Sequence, residues 1–154
     1  MAPKFKARRR GQISVHLDDA ERTFLSELVV MLRAIAGQED DPGHARLNVP
    51  PYLGDNEASS EWRRLMGDQL EDGRTRDRDL MTRVLDEEPP VEIGHEEALS
   101  LLRVINEARL VLAARLGVEV PDDYESLDVG STIALHFLGL LLEDLTDELG
   151  ASLG

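Results

Sequence analysis

Five cations, Lys4, Lys6, Arg8, Arg9 and Arg10, crowd the opening MAPKFKARRRG. Lys and Arg at this density neutralise backbone phosphates, so the segment is the candidate nucleic-acid contact. The whole chain nevertheless carries a formal charge of -14, and residues after Arg10 hold 12 basic against 31 acidic side chains, a charge of -19. Such a body repels phosphate and anionic membranes, which leaves a competing reading in which the arm folds back onto its own acidic surface. Basic partners suit the body better than nucleic acid does.

A second group follows from helical spacing. In ALSLLRVINEARLVLAARLG, Arg109 falls with Asn106 on the side of Leu102, Ile105, Ala113 and Leu116, while Glu96, Ser100, Arg103 and Glu107 gather on the polar side. A guanidinium on an apolar side needs a carboxylate and further acceptors. Asp144 and Glu148, at the edge of the last helix's apolar arc, are the candidate partners, in a structural ion pair rather than a ligand site.

Other chemistry finds little support. The chain contains no GxGxxG, GxxxxGK[ST], GxSxG or HExxH pattern. With no Cys there is no disulfide, thiolate nucleophile or Cys-ligated metal. His16, His44, His95 and His136 lack ligand spacing, and the Glu92–His95 pair is broken by Gly94 at a helix entrance. Carboxylate doublets such as Asp18–Asp19 and Glu96–Glu97 sit where a helix dipole favours them. We expect no catalytic residues, no metal and no cofactor.

The elements that position these residues are mostly helical, and at 154 residues the chain suits one domain. Asp18 with Glu21 forms a capping-box signal for a helix over about 19–36, with an apolar stripe of Phe24, Leu25, Leu28, Val29, Leu32 and Ile35. Trp62, Leu65, Met66 and Leu70 predict a second helix, and Leu80, Met81, Val84 and Leu85 a third, with Gly73 dividing them. Six basic and six acidic residues between Glu61 and Arg83 argue against a DNA-reading helix-turn-helix there. The most apolar helix ends at Gly117, and a Leu-rich helix over about 131–149 closes the chain, with its arc through Ala134, Phe137, Leu138, Leu141 and Leu145.

Ile13, Val15 and Leu17 alternate with Ser14 and His16, as in a half-buried strand. Pairing across Arg10–Gly11–Gln12 would set Phe5 against Leu17, Ala7 against Val15 and Lys6 against His16, with Val91 to Ile93 as a candidate third strand. The connection from Gly37 to Ser59 is unusually long, and its centre LNVPPYL predicts packing onto the body or a functional loop.

The fold class is therefore mainly α, about five helices in a bundle with a small N-terminal β ribbon. Residues 1–10 form a basic arm and 11–154 a single helical domain. No stretch reads as a signal peptide or a membrane span, so a cytoplasmic location and no membrane partner are expected. The Leu-rich last helix offers a face for a homodimer.

The order RLNVPPY, EWRRLMGDQL, INEARLVLAARLGV and a Leu-rich terminal helix resembles the actinobacterial AosR-like oxidative-stress transcriptional regulators, a family first described as a domain of unknown function. The likeness runs from about Gln12 to Leu149. Its motif residues here are Leu47, Pro50, Pro51 and Tyr52 in the loop, Trp62, Arg63, Arg64 and Leu65 in the next helix, and Asn106, Arg109, Leu110, Arg115 and Leu116 in the long one. Asn48 and Val49 stand where an aromatic is usual. The resemblance implies gene regulation under oxidative stress, with a disulfide switch in redox-responsive members that this Cys-free chain does not have. The expected function is accordingly a non-enzymatic transcriptional regulator, with DNA or protein of the transcription machinery as partner. The alternative is an acidic adaptor that binds proteins and no DNA.

Overall fold

The computed structural model describes residues 3–152. Three short strands form an antiparallel sheet in the order β1 (Phe5–Ala7), β2 (Ile13–Val15), β3 (Val91–Ile93). Five α-helices are present among the described residues: α1 (Asp19–Ile35), α2 (Pro42–Leu47), α3 (Asn56–Asp86), α4 (His95–Arg115) and α5 (Val129–Ser152). The protein is mainly α with a small N-terminal β ribbon, as its residue patterning predicts.

The hairpin register differs from the expected one by two residues. Phe5 pairs with Val15, Lys6 with Ser14 and Ala7 with Ile13. The connection is Arg9–Arg10–Gly11, in which Arg10 (φ 62°) and Gly11 (φ 71°) both take left-handed backbone, and Arg8 N–H closes onto Gln12 O at 2.7 Å. A shift of two preserves side-chain parity, so Phe5 still faces the core and Lys6 still faces out. β3 completes the sheet, with Ile13 opposite Ile93 and Val15 opposite Val91. Residues 5–7, assigned above to an arm, are thus part of the domain, and Phe5 is fully buried.

Asp18 caps α1 through a complete capping box with Glu21, and Leu25, Leu28, Val29, Leu32 and Ile35 go into the core. α4 packs against α2, α3 and α5, burying Leu101, Val104, Ile105, Ala108 and Val111. α2 lies in the long connection, started by the Asp41 side chain accepting from Gly43 N at 2.8 Å with Pro42 at its first position. It approaches α4 so closely that a Cβ on Gly43 would lie 2.5 Å from Val111 Cγ1. Only the start of LNVPPYL packs: Leu47, half-buried, lies against the core, whereas Val49, Tyr52 and Leu53 are exposed.

α3 departs most from expectation. It runs unbroken through Gly67 and Gly73 for 31 residues, about 46 Å. A glycine costs a helix only about 1 kcal/mol, and no proline interrupts this stretch. Its core contacts come late, at Met81, Val84 and Leu85. The earlier stripe remains outside, with Leu65, Met66 and Leu70 exposed, because the neighbouring α4 has only 21 residues to cover it.

α5 packs against α4 and the β1–β2 hairpin, burying Leu135, Leu138, Leu141, Leu145 and Leu149. By length and composition alone it is long and apolar enough to cross a membrane, yet its carboxylates bind β1, as described next.

Candidate functional site

The edge strand β1 presents outward N–H groups that need acceptors. Asp144 Oδ2 accepts from Lys4 N at 2.9 Å and Phe5 N at 2.8 Å, and Glu148 Oε2 accepts from Ala7 N at 2.7 Å. Four residues of helix rise about 6 Å and two residues of strand about 6.7 Å, so carboxylates at i and i+4 match alternate strand amides. These clamps hold the basic hairpin to α5.

The five hairpin cations then separate. Lys4 Nζ is 2.9 Å from Glu21 Oε2 and is spent on that pair. Arg8 Nε donates to Ser14 Oγ at 3.0 Å, and Ser14 Oγ also lies 2.8 Å from His16 Nε2. Lys6, Arg8, Arg9 and Arg10 are all exposed, on the outer side and tip of the ribbon. Four of the five candidate nucleic-acid residues thus remain exposed on one hairpin.

Arg109 does not meet Asp144 or Glu148. Its guanidinium lies about 3.6 Å from where a Cβ on Gly139 would stand, and among the described residues it makes no ion pair within 4 Å. Asp144 is about 7.5 Å farther along α5 by helical rise, with its carboxylate already turned to β1. Arg109 instead lines a shallow hollow with Tyr124, Thr132, His136 and Glu143.

The buried ionic cluster is elsewhere, between α3 and α4. Arg78, only 5% exposed, donates through Nη2 to Glu107 Oε2 at 3.0 Å. Arg103 grips Asp77 with two bonds, Nε–Oδ2 at 2.7 Å and Nη2–Oδ1 at 2.9 Å. Burial alone would raise the Asp77 carboxyl, but hydrogen bonds from Arg103 and Ser100, with the charges of Arg103 and Arg76, hold it below the usual carboxylate range. Arg74 reaches across to Leu47 O at 2.9 Å and so ties the long connection to α3. Nε of Arg74 and of Arg78 are buried without a hydrogen-bond partner among the described residues. Arg103 and Glu107 lie on the polar side of α4, as helical spacing predicts; Arg103 is exposed and Glu107 half-buried, and only their partners on α3 were not foreseen. The available signal was the matching four-residue spacing of Arg74 and Arg78 on one helix and Arg103 and Glu107 on the next.

The motif residues do not converge on one place. Pro50, Pro51 and Tyr52 lie in the exposed loop, Arg63 and Arg64 on the outer half of α3 and Asn106 on the surface of α4, while Trp62 is half-buried. Arg115 pairs with Asp41 at 2.7 Å, closing α4 onto the start of α2. Arg115 holds Asp41 below the ordinary carboxylate range, chiefly by hydrogen bonding. Among the described residues no three His or carboxylate side chains gather as a metal site.

A family profile described as a domain of unknown function, DUF2017, matches residues 1–149. The chain belongs to the DUF2017 family. No curated protein and no solved structure matches it. Membership of DUF2017 thus spans the hairpin, the α3–α4 cluster and nearly all of α5, and it assigns no activity to any of them.

Proposed function

We propose that this DUF2017 protein is a non-enzymatic regulator of transcription, of the kind its resemblance to AosR-like regulators implies, acting without a cysteine switch. The observation that supports the reading is the basic edge of the hairpin, where Lys6, Arg8, Arg9 and Arg10 stay exposed on a ribbon held by Asp144 and Glu148. A clamped ribbon presents its cations in one geometry, which a groove or a row of phosphates can match. Four free cations neutralise at most four phosphates, so the log-log salt slope for duplex DNA is no steeper than about -3.6.

Fluorescence anisotropy with labelled duplex DNA across a salt series tests this. Replacing Lys6, Arg8, Arg9 and Arg10 together with Gln should abolish binding. If binding keeps its affinity and slope in that variant, the hairpin is not the anchor, and if the wild-type chain binds no DNA at low salt, the DNA reading fails. The second reading, an acidic adaptor that binds proteins and no DNA, is favoured by the charge of -14 and by the apolar hollow beside α5.

A further inference from the structure

α5 is apolar on two sides. One side is the core arc described above. The other leaves Val129, Ile133 and Leu140 at 75%, 62% and 44% exposure, with Phe137 half-buried between them. Phe137 leans against Phe24 of α1, their ring centroids 6.0 Å apart. Two hollows of about 450 and 380 Å³ run along this α1–α5 seam, and Ile133, Phe137 and Glu21 line both. The floor is therefore one continuous apolar strip.

Its rim is acidic. Glu21, Glu143, Asp144 and Asp147 surround the larger hollow, with Lys4 as the single Lys or Arg among its lining residues. Lys4 is neutralised by Glu21, and Asp144 is occupied by β1 amides. Glu143 and Asp147 are exposed and have no cation partner among the described residues. α5 itself contains no Lys or Arg. Two copies laid face to face along α5 would meet without one basic residue from either helix to offset Glu143 and Asp147, which disfavours a second copy as the occupant. The exposed strip on α3 makes a useful contrast, because Arg63 and Arg64 accompany Asp68 and Glu71 there and the charge is mixed.

We infer that the α1–α5 seam docks a basic amphipathic helix of a partner protein, its apolar side on Ile133, Phe137 and Leu140 and its Lys or Arg residues reaching Glu143 and Asp147. The inference goes beyond either functional reading by giving the surface and the partner's chemistry, and it stands whether or not the hairpin contacts DNA.

A fluorescently labelled amphipathic helical peptide of about 18 residues, five turns, made only of Leu and Lys, serves as the probe. A Leu/Glu peptide of the same pattern is its control. The full-length chain should bind the first and not the second. I133E combined with L140E should weaken binding by about tenfold or more, equivalent to about 1.4 kcal/mol. E143K combined with D147K keeps the apolar floor and should weaken it as well, which preserves the test if the first variant misfolds by circular dichroism. L65E on α3 and the hairpin Gln variant should leave binding unchanged. Equal binding of both peptides, or unchanged binding in both seam variants, overturns the inference. So does self-association of the wild-type chain in sedimentation that I133E abolishes, or co-sedimentation with phosphatidylcholine vesicles, since another copy or a membrane would then occupy the seam.

Discussion

Asp144 serves the backbone of Phe5 rather than a side chain: its Oδ2 takes the Phe5 amide at 2.8 Å and the preceding Lys4 amide at 2.9 Å. Hydrogen bonds to a charged acceptor contribute about 1.5–3 kcal/mol each, and loss of the carboxylate leaves both partly buried amides without a partner. Asp144→Ala should therefore destabilise by about 2–4 kcal/mol in urea melts, with faster hydrogen exchange at Lys4 and Phe5. A loss below about 0.5 kcal/mol would remove the clamp as a stabilising element.

Arg109→Ala should cost much less, about 1 kcal/mol, because no ion pair is lost and only the packing of the guanidinium over Gly139 goes. The double variant with Asp144→Ala tests the absence of contact directly. Residues that do not touch add within about 0.5 kcal/mol, and a larger coupling would place the two charges together.

These two residues also mark what could be read before the structure. That Asp144 and Glu148 sit beside the apolar arc of α5 is a matter of angle, and period 3.6 gives it from sequence alone. Their partner was not legible in that way. A side chain such as Arg109 is visible in the sequence as an unmet need, whereas the open amides of an edge strand belong to every strand alike and carry no letter. The hairpin shows the same division: alternation set which residues face inward, but the turn's two left-handed residues, Arg10 and Gly11, set the register. In α3 the apolar stripe through Leu65 and Leu70 signalled a helix but not whether it is covered, because periodicity reports a helix's own asymmetry and not the length of the neighbour that must cover it.

The α3–α4 cluster gives the largest expected single loss. Arg78→Ala removes the 3.0 Å partner of Glu107, whose side chain is only 18% exposed and whose next cation, Arg74 Nε, is 3.9 Å away. Breaking a buried pair on one side costs about 3–5 kcal/mol. Arg78→Met, which keeps most of the volume, combined with Glu107→Gln should recover part of that stability. If the double variant is as unstable as Arg78→Ala, an uncompensated Glu107 charge is not the source of the loss.

Asp77 makes stability depend on acid. Its folded carboxyl titrates below the ordinary range, so the unfolded chain takes up a proton first as pH falls. The contribution is fully present above the unfolded value of about 3.9 and fades as pH drops through the lowered folded value. Asp77→Asn should be less stable than wild type at pH 7, and the gap should close below about pH 4. A gap independent of pH would mean that the Arg103 contact acts through shape alone.

Oxidation has one route left in this chain, through methionine sulphur, since no Cys is present. Diamide should therefore leave mobility, helicity and binding unchanged. Among the methionines of the described residues, Met81 is 2% exposed in the core, Met31 is packed against it, and Met66 is 40% exposed on the outer half of α3. Peroxide should convert Met66 first and Met81 last in peptide maps, with the helical signal retained while only Met66 is oxidised. Sulfoxide turns that side chain polar beside exposed Leu65 and Leu70, so an oxidative signal in this member would change a protruding apolar surface without opening the core. Equal rates at Met66 and Met81 in the folded protein would show that the core admits oxidant, and the surface route would then lose its basis.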